Sequence, residues 1–228
     1  GKVKVKVERV RWESKDKAVS GTELVSESEM TINGTSLTVP VKIESILYGY
    51  RIYLTPVNVP QKPYNNIVAK IPGKIEIENY DIAGQGFSFY DNDEDNKGGE
   101  YRDDAVDIVT APSGYAIGYT EKGEWLEYTV EVEEDGEYDV TANVSNNGSL
   151  DGFQLYVDGK QVTTDYTIPQ TGENWSEYDE VIVPGFSMTK GEHVIRLMIV
   201  GSYVNIDWLQ FELHSSTITN DIYNTSAE

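Results

Sequence analysis

Cysteine is absent from the 228 residues, so neither a disulfide staple nor thiol chemistry is available to this protein. No apolar run approaches the ~20 residues needed to span a bilayer, and no membrane insertion is expected. Basic residues are scarce: 18 Lys+Arg against 39 Asp+Glu give a formal net charge of −21. Such a chain has no basic footprint for phosphates, which argues against nucleic acid and anionic membrane as partners and leaves neutral ligands and cations open. The carboxylate excess suits solubility by net charge, and equally a protein that meets calcium outside cells. Histidine occurs twice, at His193 before a β-rich run and at His214 after the last one, with no partner motif at either. A nucleophile elbow, a phosphate loop and zinc-ligand spacing are all missing. So is an amphipathic helical period of useful length.

What remains is β-pattern and tyrosine. The 16 Tyr far outnumber the 5 Phe, a bias toward rings that keep a hydroxyl near water. In residues 1–57 Val3, Val5 and Val7 alternate, and 29–31, 36–43 and 48–54 continue in β-rich runs. Asn33-Gly34 supplies a hairpin turn signal. These strands are too few to close a sandwich of ordinary size, so 1–57 is expected to be a small β domain or the terminal strands of an accessory β-sandwich. The opening alternates from Gly1 to Val7 and lacks the apolar core of a signal peptide, so the chain reads as beginning inside something longer. Pro56, Pro60, Pro63 and Pro72 punctuate an aperiodic stretch, and a proline-rich linker is predicted over 58–69. Short β runs broken by turn clusters then fill 70–213, with Asp158-Gly159 marking a hairpin; the count predicts a β-jelly-roll sandwich. A polar tail occupies 214–228.

Three features stand out against this background. First, Tyr115, Ile117 and Tyr119 alternate before a Glu121-Lys122-Gly123 turn, and Trp125, Leu126, Tyr128 and Val130 resume the β pattern after it. Tyr119 ends its strand beside Gly118, where a ring stands either at the rim as a platform or against the core. Second, Trp175 lies in the polar loop 169–176 with no apolar neighbours to bury it. It is either a loop plug or an exposed ring with a function. Third, Glu76 and Glu78 are two apart on a predicted strand, which places both carboxylates on one side. A cation between them or a solvated edge strand would each accommodate the pair. Asp91 to Asn96 begins like an EF-hand loop, but Asn96 stands where Gly is needed and Arg102 where the closing Glu is needed, so it reads as an acidic solvated loop, with a second weak calcium site as the alternative.

Several motifs in series resemble family 6 carbohydrate-binding modules: Ile75-Glu76-Ile77-Glu78-Asn79-Tyr80, Gly98-Gly99-Glu100-Tyr101-Arg102 with Val106-Asp107-Ile108, and Ile117-Gly118-Tyr119 with Gly123-Glu124-Trp125-Leu126-Glu127-Tyr128. The series ends with Gly172 to Trp175 and Val204-Asn205-Ile206-Asp207-Trp208. The likeness covers about 70–213 and leaves 1–69 outside. It implies a β-jelly roll, a structural calcium, non-catalytic sugar binding, and linkage to an upstream catalytic module of a secreted bacterial polysaccharide-degrading enzyme. The family's sugar slot of a Tyr, a Trp and an Asn falls on Tyr119, Trp175 and Asn205, and Tyr203 is expected beside it. Glu121 is expected as a hydrogen-bonding rim group. The calcium set implied is Glu76, Glu78 and Asp207, completed by backbone carbonyls. The polysaccharide itself is not legible, and two other readings stand beside this one. One is a glycosidase fragment using paired carboxylates among Glu121, Glu124 and Glu127. The other is a calcium-stabilised adhesion domain.

Overall fold

A computed structural model describes residues 2–14, 17–31, 37–44, 48–57, 59–148, 152–164 and 166–214. The Asn33-Gly34 turn and residues 215–228 of the tail lie outside them. The chain divides into two compact units, Gly1–Pro60 and Gln61–Glu228.

The first unit is an antiparallel sheet in the order β2-β1-β3, with β1 over Lys2–Ser14, β2 over Lys17–Thr31 and β3 over Tyr48–Val57. Alternation puts Val3, Val5 and Val7 on one face of the central strand, where all three are buried. Met30 stands directly across from Val3 on that face. Leu37, Val39 and Val41 pack over it too, as an irregular stretch instead of the strand predicted at 36–43. An alternating apolar segment can cover a sheet face through its side chains without joining the ladder.

The second unit holds thirteen strands among the described residues, in two sheets. In chain order they are β4 (Ala69–Ile71), β5 (Gly73–Glu76), β6 (Phe89–Tyr90), β7 (Ile108–Ala111), β8 (Gly114–Ile117), β9 (Trp125–Val132), β10 (Gly136–Ser145), β11 (Gly152–Val157), β12 (Lys160–Gln161), β13 (Tyr166–Thr167), β14 (Asp179–Met188), β15 (Gly191–Ile199) and β16 (Asn205–Leu213). One sheet runs β14-β10-β16-β8-β7, with β5 also on β16. The other runs β12-β11-β15-β9-β4, with β13 on β11 and β6 on β9. Period-2 burial is clean along the central strands. Tyr138, Val140, Ala142 and Val144 of β10 are buried, and so are Ile195, Leu197 and Ile199 of β15. Side chains from both sheets form one continuous core, the all-β sandwich that the strand count predicts. Asp158 and Gly159 both adopt positive φ, 50° and 77°, the geometry of a two-residue hairpin turn, here between β11 and β12.

Two further expectations are corrected. The predicted linker over 58–69 is largely part of the sandwich. The side chain of Gln61 donates to Asp81 at 2.9 Å, Lys62 and Ile82 exchange backbone bonds, and β4 runs parallel to β9 with Ile71 fully buried. Extended, proline-punctuated chain has the right φ to lie along a sheet edge, and one apolar anchor holds it there. The second correction concerns Glu76 and Glu78. The strand stops at Glu76, and Ile77–Asn79 form a single 3-10 turn in which Ile77 and Glu78 are both buried. Strand alternation therefore does not place the two carboxylates.

Candidate sugar-binding site

Strand pairing gathers the candidate residues. Ile117 at the end of β8 pairs with Ile206 of β16 in antiparallel register. Continuing that register brings the residues after Ile117 against those before Ile206, so Gly118–Thr120 meet Tyr203–Asn205 at one rim of the sandwich. Tyr119 there has φ 48° and is 48% exposed; Tyr203 has φ 64° and is 55% exposed. Neither ring is core. Asn205 opens β16 and is only 7% exposed.

The third ring arrives on the loop between β13 and β14. That loop is polar yet tightly self-bonded. The Glu177 carboxylate accepts the backbone N–H of Glu173 at 2.6 Å and of Asn174 at 3.3 Å, which holds it below its ordinary pKa. Thr171 donates its hydroxyl to the Glu177 carbonyl at 2.8 Å, and the Thr171 amide donates to the Asn146 carbonyl at 3.0 Å. Trp175 is presented 41% exposed, and its carbonyl accepts Asn205 Nδ2 at 3.4 Å.

Tyr119, Trp175, Tyr203 and Asn205 consequently line one cavity of about 450 Å³, within the size range of ligand pockets. Val109, Thr110 and Ser176 complete its lining. These three were not anticipated. Ser176 was within reach as the neighbour of Trp175, but nothing in the sequence marks Val109 or Thr110, which enter because β7 lies next to β8. Gly118 fits tightly at this point. A Cβ there would stand 3.0 Å from Asn205 Oδ1 and 3.0 and 3.1 Å from the Val109 methyls. Three rings and an amide give apolar walls with a polar base, and no carboxylate, amine, guanidinium or imidazole lines the cavity among the described residues.

Glu121 is not among the lining residues. It is half-buried in the turn, where its N–H donates to Glu124 Oε2 at 2.7 Å. Glu124 is buried, and burial pushes its pKa up to about 7, with the neighbouring charge of Asp91 adding to the shift. Glu127 is engaged by Arg196, whose Nε and Nη2 donate to it at 2.8 and 2.5 Å. None of the three carboxylates weighed for catalysis faces the cavity.

The carboxylates expected to hold calcium lie elsewhere in the sandwich. Glu78 Oε2 is buried without a hydrogen-bond partner, and burial pushes the Glu78 pKa up to about 7, with Glu76 and Asp207 adding to the rise. Asp207 is buried and raised by that burial, and it accepts the Ser113 hydroxyl. Glu76 is half-exposed and pairs with Lys74 at 2.7 Å. Among the described residues no three His, Cys, Asp or Glu side chains close into a metal cluster. The orphaned Glu78 oxygen facing a negative neighbourhood fits a cation, provided backbone carbonyls supply the remaining ligands. In the 91–96 loop two of the carboxylates are engaged internally. Asp91 and Asp93 cap the backbone amides of Asp93 and Asp95, and Lys97 pairs with Asp93 at 2.5 Å.

The family description "Carbohydrate binding module (family 6)" matches residues 98–213, and the chain belongs to that family. Its function is non-catalytic carbohydrate binding. Beta-agarase AgaO of Microbulbifer thermotolerans is 30% identical over 119 residues, which are 50% of this chain and 10% of that protein. The chain thus spans about a tenth of the curated relative that it matches. Among solved structures, CsCBM6-3 from Clostridium stercorarium, in complex with cellobiose, is 25% identical over 65% of this chain and 98% of its own, with a TM-score of 0.48. A β-1,3-glucan-binding CBM6 from Bacillus halodurans is 16% identical over 64% of this chain and 99% of its own, also with a TM-score of 0.48.

Proposed function

We propose that the cavity between Tyr119, Trp175 and Tyr203 is the sugar slot of this module, and that the module holds an attached polysaccharide-degrading enzyme on its substrate. The observation that carries this reading is the convergence of three half-open rings and the amide of Asn205 on one uncharged cavity. A pyranose presents faces of C–H bonds that pack on aromatic planes, while its hydroxyls need partners at the edge. Asn205, which lines the base, would meet a hydroxyl there. A shallow slot of this kind holds sugar with micromolar to millimolar Kd, about −4 to −8 kcal/mol, and tethering multiplies its effect at an insoluble surface. The agarase relative makes agarose the first polymer to try. The same reading places the protein outside the cell and assigns a structural calcium to Glu78, Asp207 and Glu76. The calcium would offset the mutual repulsion of these carboxylates and tie the 3-10 turn after β5 to β16.

Native electrophoresis through gels containing agarose, laminarin or xylan tests the assignment. Retardation by at least one of them, relative to a sugar-free gel, is expected. Unretarded migration through all three would remove it.

A further inference from the structure

Thr120 lies between the two tyrosines of the slot without lining the cavity. It is 3% exposed, and it makes three hydrogen bonds to the segment that carries Tyr203 and Asn205. Its hydroxyl donates to the Val204 carbonyl at 2.9 Å and accepts the Val204 amide at 2.9 Å. Its carbonyl accepts the Tyr203 amide at 2.7 Å. One hydroxyl therefore closes a two-way bond to one residue, as a backbone peptide would in a ladder. Ladder pairing recorded between β8 and β16 stops at Ile117–Ile206, so Thr120 and Val204 continue the clamp by side chain beyond it. The bond partners immediately follow Tyr119 and Tyr203, both of which sit in left-handed backbone at φ 48° and 64°. That conformation is disfavoured for residues with a Cβ and persists only where the surroundings over-determine it.

We infer that Thr120 is the positioning residue of the slot: its buried hydroxyl locks Tyr203 and Asn205 at a fixed offset from Tyr119, holding both tyrosines in their left-handed conformations. Only a hydroxyl that both donates and accepts meets this need, so serine substitutes and the isosteric valine does not. Valine would leave the Val204 amide and carbonyl buried without partners, which favours opening of the segment. The ring that Thr120 does not hold directly is Trp175, whose carbonyl bonds Asn205. The inference rests on the sugar-slot reading, and its test separates the two.

Wild type, Thr120→Val, Thr120→Ser, Tyr203→Ala and the Thr120→Val/Tyr203→Ala double variant are compared by affinity electrophoresis on agarose, laminarin and xylan. Amide hydrogen exchange at Tyr203 and Val204 is followed in parallel. Thr120→Val is expected to weaken binding about tenfold, about 1.4 kcal/mol, and to speed exchange at both amides, while Thr120→Ser stays within about twofold of wild type. In the Tyr203→Ala background the valine substitution is expected to cost markedly less, because much of its effect acts through that ring. Wild-type affinity and wild-type exchange in Thr120→Val would overturn the inference. So would a Thr120→Ser variant as weak as the valine one, a result that also decides the matter should Thr120→Val not fold. If no polysaccharide retards the wild type, the sugar-slot reading fails, and exchange at Tyr203 and Val204 judges the clamp alone.

Discussion

Trp175→Ala isolates the contribution of one wall of the slot. Trp175 is 41% exposed, so about that fraction of its surface is open for a ligand to cover. An aromatic side chain carries ~150–250 Å² of buriable area, so a sugar resting on the open part removes about 60–100 Å² from water. At ~25 cal/mol per Å² that is about 1.5–2.5 kcal/mol, or roughly 10- to 70-fold in Kd. The loop itself should survive, since its internal bonds run through Glu177, Thr171 and Asn146, and the Trp175 carbonyl that accepts Asn205 remains. A stability change within about 1 kcal/mol is expected. Isothermal titration with the retarding polysaccharide measures the first quantity and thermal unfolding the second. A loss below about twofold, or a large fall in Tm accompanying it, would show that the ring braces the loop instead of facing sugar, and the area argument would be wrong.

Other tests address the supporting residues. Burial raises the pKa of Glu124 to about 7 and of Asp91 to about 6, so folding favours their neutral forms. The stability they lend is full below the ordinary carboxyl range near pH ~4 and is lost as pH climbs through about 6 and 7. The Tm difference between wild type and Glu124→Gln is therefore expected to move against wild type from pH 5 to pH 8, and a pH-independent difference would contradict the burial argument. Saturating calcium at ~100 times its Kd should stabilise the fold by about 2.7 kcal/mol, a rise in Tm of roughly 5–10 °C that chelator reverses and that Glu78→Gln abolishes. No response of wild type to calcium in thermal unfolding would leave Glu78 and Asp207 as mere buried acids and Glu76 as the ion-pair partner of Lys74. Gly118→Ala forces its new methyl against Asn205 Oδ1 and Val109, so a few-fold loss of affinity by titration is expected with the fold retained; unchanged affinity would mean that the base of the slot is pliable.

Local pattern was enough to read the sandwich as a series of strands, because alternation in β10 or β15 is a property of neighbouring residues and needs no partner to be seen. Trp175 was legible for a similar reason: a large ring in a run of polar residues is conspicuous wherever the loop ends up. Local pattern misjudged three places. Alternation at 37–41 looks like a strand, yet Leu37, Val39 and Val41 pack on the first sheet without joining its ladder. At 61–71 the proline spacing looks like free chain, yet pairing with β9 and the burial of Ile71 bind it to the sheet. At Glu78 the backbone leaves the strand one residue too early for alternation to apply.

What the sequence by itself determined is the material: all-β segments, uncharged rings set beside glycines and polar loops, and carboxylates in excess. Tertiary structure alone decided which of these meet. Tyr119, Trp175 and Asn205 come from three separate stretches of chain, and the Ile117–Ile206 pairing that brings the first and last together is invisible to any window of neighbouring residues. The same pairing brought Thr120 within bonding reach of Val204, while the β7–β8 pairing admitted Val109 and Thr110 to the cavity that Glu121 does not line. Side-chain alternation is written residue by residue, whereas the meeting of distant loops depends on how strands register across a shared core.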